Sequence, residues 1–186
     1  MADNDDEARR KLEKPQCSAD AVVEFVRANF VLPCGGEIDA STAKELNSYD
    51  DRNFYVRTDA GVEYTLKVHN GVESQNKPLL DAQSAMMRHL TASGVTCPCP
   101  VPTVDGKDVA SVNLPLRPGA KDARRDHAVR VLTWVKGSIA DDCRDAHTPA
   151  FMRELGVFLA SLFAEREKIE LLRLFLFPLL LLPRVF

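Results

Sequence analysis

The sequence predicts an α+β fold, a small antiparallel sheet with helices, and three observations carry that prediction. Two short alternating segments, Asn53-Phe-Tyr-Val-Arg57 and Val62-Glu-Tyr-Thr-Leu-Lys-Val68, flank the turn signal Thr58-Asp-Ala-Gly61 and so read as a hairpin. A third segment, Val129 to Val135, alternates in the same way. Around these strands, Ala19–Phe30, Leu79–Ala92 and Pro149–Arg166 carry apolar residues at helical spacing. At 186 residues and 45% hydrophobic, the chain is long enough for one domain with its own core.

In chain order, Ala2 to Gln16 is mixed in charge and almost free of large apolar groups, so residues 1–17 are expected to form a disordered lead-in. Ser18 suits the N-cap of a helix whose Val22, Val23, Val26 and Phe30 share a face, and Pro33-Cys-Gly-Gly36 ends it. Glu37–Asn47 reads as a first strand, although Ala43-Lys-Glu-Leu46 suits a helix equally well. The polar turn Ser48–Arg52 then opens into the hairpin, whose second strand carries Lys67 near its end. A strand lysine beside a polar loop can pair a polyphosphate; a lysine stem lying along a hairpin with its ammonium in water explains the same pattern.

Asn76-Lys-Pro78 precedes the second long helix, with Leu79, Leu80, Met86, Met87 and Leu90 as its buried face and Gly94 as its stop. Asp81 lies in the first turns, where the helix dipole favours an acid. Val95–Pro102 is a proline-stiffened connector, Val109–Leu114 a strand, and Arg117–Asp126 an exposed charged loop. His127–Val135 is the best candidate for a central strand, with Trp134 as core or as a pocket wall. Gly137 permits a sharp turn before the last helix, whose apolar side holds Phe151, Leu155, Phe158, Leu159 and Leu162.

Composition excludes several classes. With 24 Lys+Arg against 27 Asp+Glu and a net charge of −3, there is no basic face for nucleic acid. Of cysteines 17, 34, 97, 99 and 143 only Cys97-Pro-Cys99 is a close pair, and the four histidines are scattered, so reduced thiols rather than a zinc site are expected. The charged N-terminus lacks the apolar core of a secretory signal, which points to the cytoplasm. Near the C-terminus the uncharged run Leu174–Pro183 is broken by Pro178 and flanked by Arg173 and Arg184; at ten residues it falls short of the about 20 a membrane span needs.

Three segments, Ser48-Tyr-Asp-Asp-Arg-Asn-Phe54, Tyr64-Thr-Leu-Lys-Val68 and Val129-Arg-Val-Leu-Thr-Trp134, stand in an order that resembles the N-terminal lobe of the aminoglycoside phosphotransferase and choline kinase type of protein-kinase-like fold. Within it the likeness is nearest to the hydroxylysine kinases and covers Ser18 to Ala164. The resemblance implies that Lys67 pairs the phosphates of a purine nucleotide and that Asp81 orients it. It puts Tyr49, Asp50, Asp51 and Asn53 where relatives have a glycine-rich loop. No glycine occurs between Leu46 and Ala60, so side chains would have to cap the phosphates, with Asp50 and Asp51 equally readable as turn formers. Leu132, Thr133, Trp134 and Val135 would be the hinge that reads the purine edge.

The implied donor is GTP or ATP with Mg2+, and the implied acceptor is a small amino alcohol: the 5-hydroxyl of hydroxylysine, in lysine catabolism. On this reading, 18–136 is the nucleotide-binding lobe, 137–167 a linker with the first helix of a truncated second lobe, and 168–186 an aberrant hydrophobic tail. Phosphoryl transfer also needs one carboxylate to orient the attacking hydroxyl and another to hold the metal. Neither a His-Gly-Asp loop nor Asp-Phe-Gly occurs, so no catalytic or metal-binding residue is assigned and the chain is expected to be inactive. The alternative is a non-enzymatic module that binds a partner through its apolar C-terminal helix and tail.

Overall fold

A computed structural model describes residues 2–33, 36–138 and 140–166. Its elements are α1 (Ala2–Leu12), α2 (Ala19–Asn29), β1 (Ile38–Leu46), β2 (Arg52–Thr58), β3 (Glu63–Val68), a single turn α3 (Gly71–Ser74), α4 (Lys77–Ala92), β4 (Ala110–Pro115), β5 (Arg124–Thr133) and α5 (Pro149–Arg166), with 3-10 turns at Ala140–Asp142 and Arg144–His147. The chain divides into two compact units, Met1–Arg88 with Pro98–Trp134, and His89–Cys97 with Val135–Phe186.

The first unit is built on one antiparallel sheet in the order β1-β2-β3-β5-β4. Its two faces follow from the period of two in the strands. Phe54, Val56, Tyr64, Leu66, Val68, Val129 and Val131 point one way and are almost wholly buried, packed with Val22, Val23 and Val26 of α2. Each such side chain contributes about 1.5–3 kcal/mol by leaving water. The pairs Asn53↔Lys67, Tyr55↔Thr65, Lys67↔Arg130 and Thr65↔Leu132 place a mostly polar row on the opposite face. Ser18 caps α2 as its sequence suggests, its Oγ accepting the Ala21 amide at 3.2 Å.

Four expectations need correction. Residues 1–17 do not form a disordered lead-in, since Ala2–Leu12 is the helix α1. What docks it is charge rather than apolar surface: buried Glu13 receives Arg9 at 2.8 Å and Arg125 at 2.6 Å, and its carbonyl accepts the Gly71 amide at 2.9 Å. A Cβ on Gly71 would come within 2.5 Å of the Glu13 carboxylate and 2.8 Å of the Arg125 side chain, so a larger residue there would push this ion pair aside. Arg125 is therefore no member of an exposed loop but part of β5 and of this clamp. The middle strand is β3, not β5, although β5 is buried on both faces from His127 to Leu132. On α4 only Leu80 and Ser84 are fully buried, while Leu79, Met86, Met87 and Leu90 are half-buried. The choice left open for Glu37–Asn47 falls to strand.

In the second unit, Ala146 is buried, while α5 leaves Met152, Val157, Phe158 and Phe163 exposed. Among the described residues no helix is long and apolar enough to cross a membrane. The expected tail, 168–186, lies outside the described residues.

Candidate functional site

Lys67 stands on the middle strand, flanked on its face by Asn53 of β2 and Arg130 of β5. Its ammonium pairs with Asp51, the last residue before β2. Asp51 is buried, and its other oxygen accepts the Asn70 backbone amide at 2.8 Å and the Asn70 side-chain amide at 3.0 Å. Asn70 in turn caps α3 by accepting the Glu73 amide at 2.9 Å. The strand β3 therefore ends in an Asx-capped turn that fixes the carboxylate facing its own lysine. Burial pushes the Asp51 pKa up, but the Lys67 charge and hydrogen bond, with help from His69 and Asn70, outweigh it and hold the carboxyl below its ordinary range.

A second set of side chains, none of it singled out in the sequence, lies beside this pair. His69 is fully buried; its Nδ1 lies 3.1 Å from Glu73 and its Nε2 3.0 Å from the Nε of Arg130. Arginine can only donate, so Nε2 accepts and Nδ1 carries the proton donated to Glu73. Arg130, also buried, reaches Gln83 at 2.6 Å and Ser84 at 3.5 Å and so ties β5 to α4. His127 sits below, its Nδ1 2.7 Å from the His69 carbonyl. Asn70-Gly-Val-Glu73, an N-cap with an acid at the third helical position, is the sequence signal that could have revealed α3 and hence this corner.

Burial holds both His69 and His127 below the ordinary imidazole range, with Glu73 opposing it for His69. A histidine depressed on folding takes its proton first in the unfolded chain, so its stabilisation is complete above about pH 6.5 and is lost as the pH falls below that. We expect the urea midpoint to fall between about pH 7.5 and about pH 5.5, and His69→Gln/His127→Gln to flatten that fall. A wild-type profile that is level across this window would contradict the assignment. Asp51, shifted in the acid direction, loses its contribution only at lower pH.

Ligand atoms of Asp51, His69 and Glu73 lie within 4.8 Å of one another, close enough for one cation. The chemistry does not fit. Asp51 already faces the Lys67 ammonium, Glu73 faces Arg10 at 3.2 Å, and the His69 nitrogen toward the trio carries a proton fixed by Arg130. A hard cation such as Mg2+ would also want oxygen ligands throughout.

Of the residues expected at a nucleotide site, the structure joins Lys67, Asp51 and Asn53. The Lys67–Asp81 ion pair is not formed. Asp81 is exposed and, among the described residues, makes no ion pair, because α4 turns Leu80, Gln83 and Ser84 toward β5 and Asp81 lies about 100° round the helix from Leu80. Asp50 faces Arg10 at 3.5 Å, and Tyr49 is exposed with its hydroxyl on Glu7 and its ring 4.6 Å from the Lys11 ammonium. Leu132 and Trp134 share the Lys67 face, and Trp134 meets Tyr55 edge-on at 5.0 Å. The Thr133 and Trp134 amides are already bonded, to Cys99 and Glu63. Val135 belongs to the second unit. A cavity of about 620 Å³ lies elsewhere in the first unit, lined by Lys77, Leu80, Thr103, Lys107 and Ser111, and includes none of these residues.

The first unit is thus an antiparallel sheet whose middle strand holds a lysine against an acidic turn, followed by a helix tied to the next strand. The chain is similar to hydroxylysine kinase of Xenopus laevis, 28% identical over 167 residues that make up 87% of this chain and 41% of that protein. The hydroxylysine kinases of Danio rerio (28% identical; 82% and 39%) and Mus musculus (27%; 87% and 43%) match comparably. These matches bear out the resemblance read from the turn, lysine-strand and β5 segments. The chain spans about two-fifths of the length of these relatives. No protein-family model matches it. Amicoumacin kinase hAmiN, solved in complex with AMP-PNP, Ca2+ and Ami, superposes with a TM-score of 0.46 at 18% identity over 63% of this chain and 31% of that one, a score at which the likeness decides nothing about function.

Proposed function

We propose that residues 18–136, together with α1, form the nucleotide-binding lobe of a kinase similar to the hydroxylysine kinases, and that Lys67 pairs the phosphates of a bound purine triphosphate. The observation that carries this reading is the Lys67–Asp51 pair: a lysine kept at the turn end of the middle strand by a buried, doubly anchored carboxylate. Trp134 and Leu132, farther along the same face, suit the wall of a base pocket. The donor is GTP or ATP with Mg2+. The metal ligands are assigned to His-Gly-Asp and Asp-Phe-Gly type segments, which these 186 residues do not contain. In the whole enzyme the acceptor would be the 5-hydroxyl of hydroxylysine, with residues 137–167 leading into the second lobe; this chain alone is expected to transfer no phosphate. Among the described residues Cys17, Cys97, Cys99 and Cys143 form no disulfide, which suits a reducing compartment such as the cytoplasm.

The test is the melting point of the chain with ATP or GTP and Mg2+. A ligand at a hundredfold its Kd stabilises the folded state by about 2.7 kcal/mol. We expect a rise with at least one triphosphate and none in Lys67→Ala; no rise in either protein would remove the nucleotide site. The second reading, a partner-binding module, draws on the exposed apolar residues of α5, and predicts that Val157→Asp abolishes partner capture while nucleotide has no effect on melting.

A further inference from the structure

A phosphate loop works by presenting backbone amides, and glycine is the usual means of turning them outward. The turn Asn47–Asp51 has no glycine, and its carboxylates are engaged with Arg10, Lys67 and Asn70. Another residue sets its backbone. The Lys14 ammonium donates to the Ser48 carbonyl at 2.8 Å and to the Tyr49 carbonyl at 3.5 Å. In a planar trans peptide the carbonyl and the following amide point in opposite directions. The amides of Tyr49 and Asp50 are therefore turned to the side away from Lys14, and among the described residues neither has a hydrogen-bond partner.

Lys14 is itself well placed for such a task. The residue before it, Glu13, is buried between Arg9 and Arg125, and two residues on the Gln16 amide bonds the Pro115 carbonyl at 3.0 Å. Lys14 is thus a half-buried cation on a backbone pinned at both sides, with its charge on two successive carbonyls of the turn.

We propose that Lys14 is a positioning residue of the phosphate site: by holding the Ser48 and Tyr49 carbonyls it aims the Tyr49 and Asp50 amides at the phosphates of a purine triphosphate, replacing the glycines the turn lacks. This rests on the reading of Lys67 as the phosphate-pairing residue. It makes α1 and the segment after it a working part of the site.

Titration calorimetry on the full chain tests it, with Mg-ATP and Mg-GTP as probes and adenosine and guanosine as phosphate-free controls. Lys14→Met is expected to weaken triphosphate binding about tenfold, with nucleoside binding unchanged and Lys14→Arg recovering most of the loss. If Lys67→Ala weakens triphosphate binding but Lys14→Met does not, the role of Lys14 is refuted and the nucleotide site stands. An equal loss for triphosphate and nucleoside would also refute it, since Lys14 would then only support the fold. A wild-type chain that binds no triphosphate overturns both.

Discussion

Asp51→Ala is expected to destabilise the first unit by about 3 kcal/mol, read as a lower urea midpoint at unchanged m-value. The pair it breaks is largely desolvated: the Asp51 side chain is 7% exposed and that of Lys67 24%. Without the carboxylate, Lys67 keeps only its neighbours Asn53 and Arg130, the latter a like charge, and the Asn70 backbone amide loses its acceptor. Removing one member of a buried pair costs about 3–5 kcal/mol, and the partial exposure of Lys67 moves the expectation to the lower end. Asp51→Asn keeps an acceptor for Asn70 and should lose less. A loss below about 0.5 kcal/mol for Asp51→Ala would place the pair among solvated surface bridges.

Arg130→Ala should cost a similar amount, about 3 kcal/mol, by a different route. The guanidinium is buried and supplies donors to His69, Gln83 and Ser84, so its removal leaves a void between β5 and α4 and strips the Gln83 and His69 acceptors of their partner. Arg130→Met fills most of the void without the donors. Because a well-packed apolar replacement of a buried charge is often nearly neutral, Met should lose less than Ala. Both variants should raise the pKa of His69, since the nearby Arg130 charge helps to lower it, and NMR titration of the His69 ring reads this directly. An unmoved His69 with full stability in Arg130→Ala would contradict the network.

The parts legible in the sequence are those in which one periodicity dominates. The β2–β3 hairpin, α2 with its Ser18 cap and the α4 helix follow from alternation, apolar spacing and capping chemistry. Of the Lys67–Asp51 pair the sequence showed the two parts, a lysine near the end of one strand and a polar turn, but not that they meet. What was missed follows from polar groups in buried places. The α1 segment has no apolar stripe, and its docking depends on Glu13, Arg125 and the bare backbone of Gly71, which only meet in three dimensions. Arg130 sits where alternation reads solvent, yet α4 covers that face. The Asp81 assignment failed on helix phase: one residue separates it from buried Leu80, and that step turns it out of the seam.

The decisive measurement is a structure of the chain with a non-hydrolysable purine triphosphate and Mg2+. The Lys67 ammonium is expected to leave Asp51 and to lie within about 3.2 Å of a phosphate oxygen, with the base beside Trp134. A bound triphosphate with Lys67 still paired to Asp51 and no phosphate beside it would rule out Lys67 as the phosphate-pairing residue.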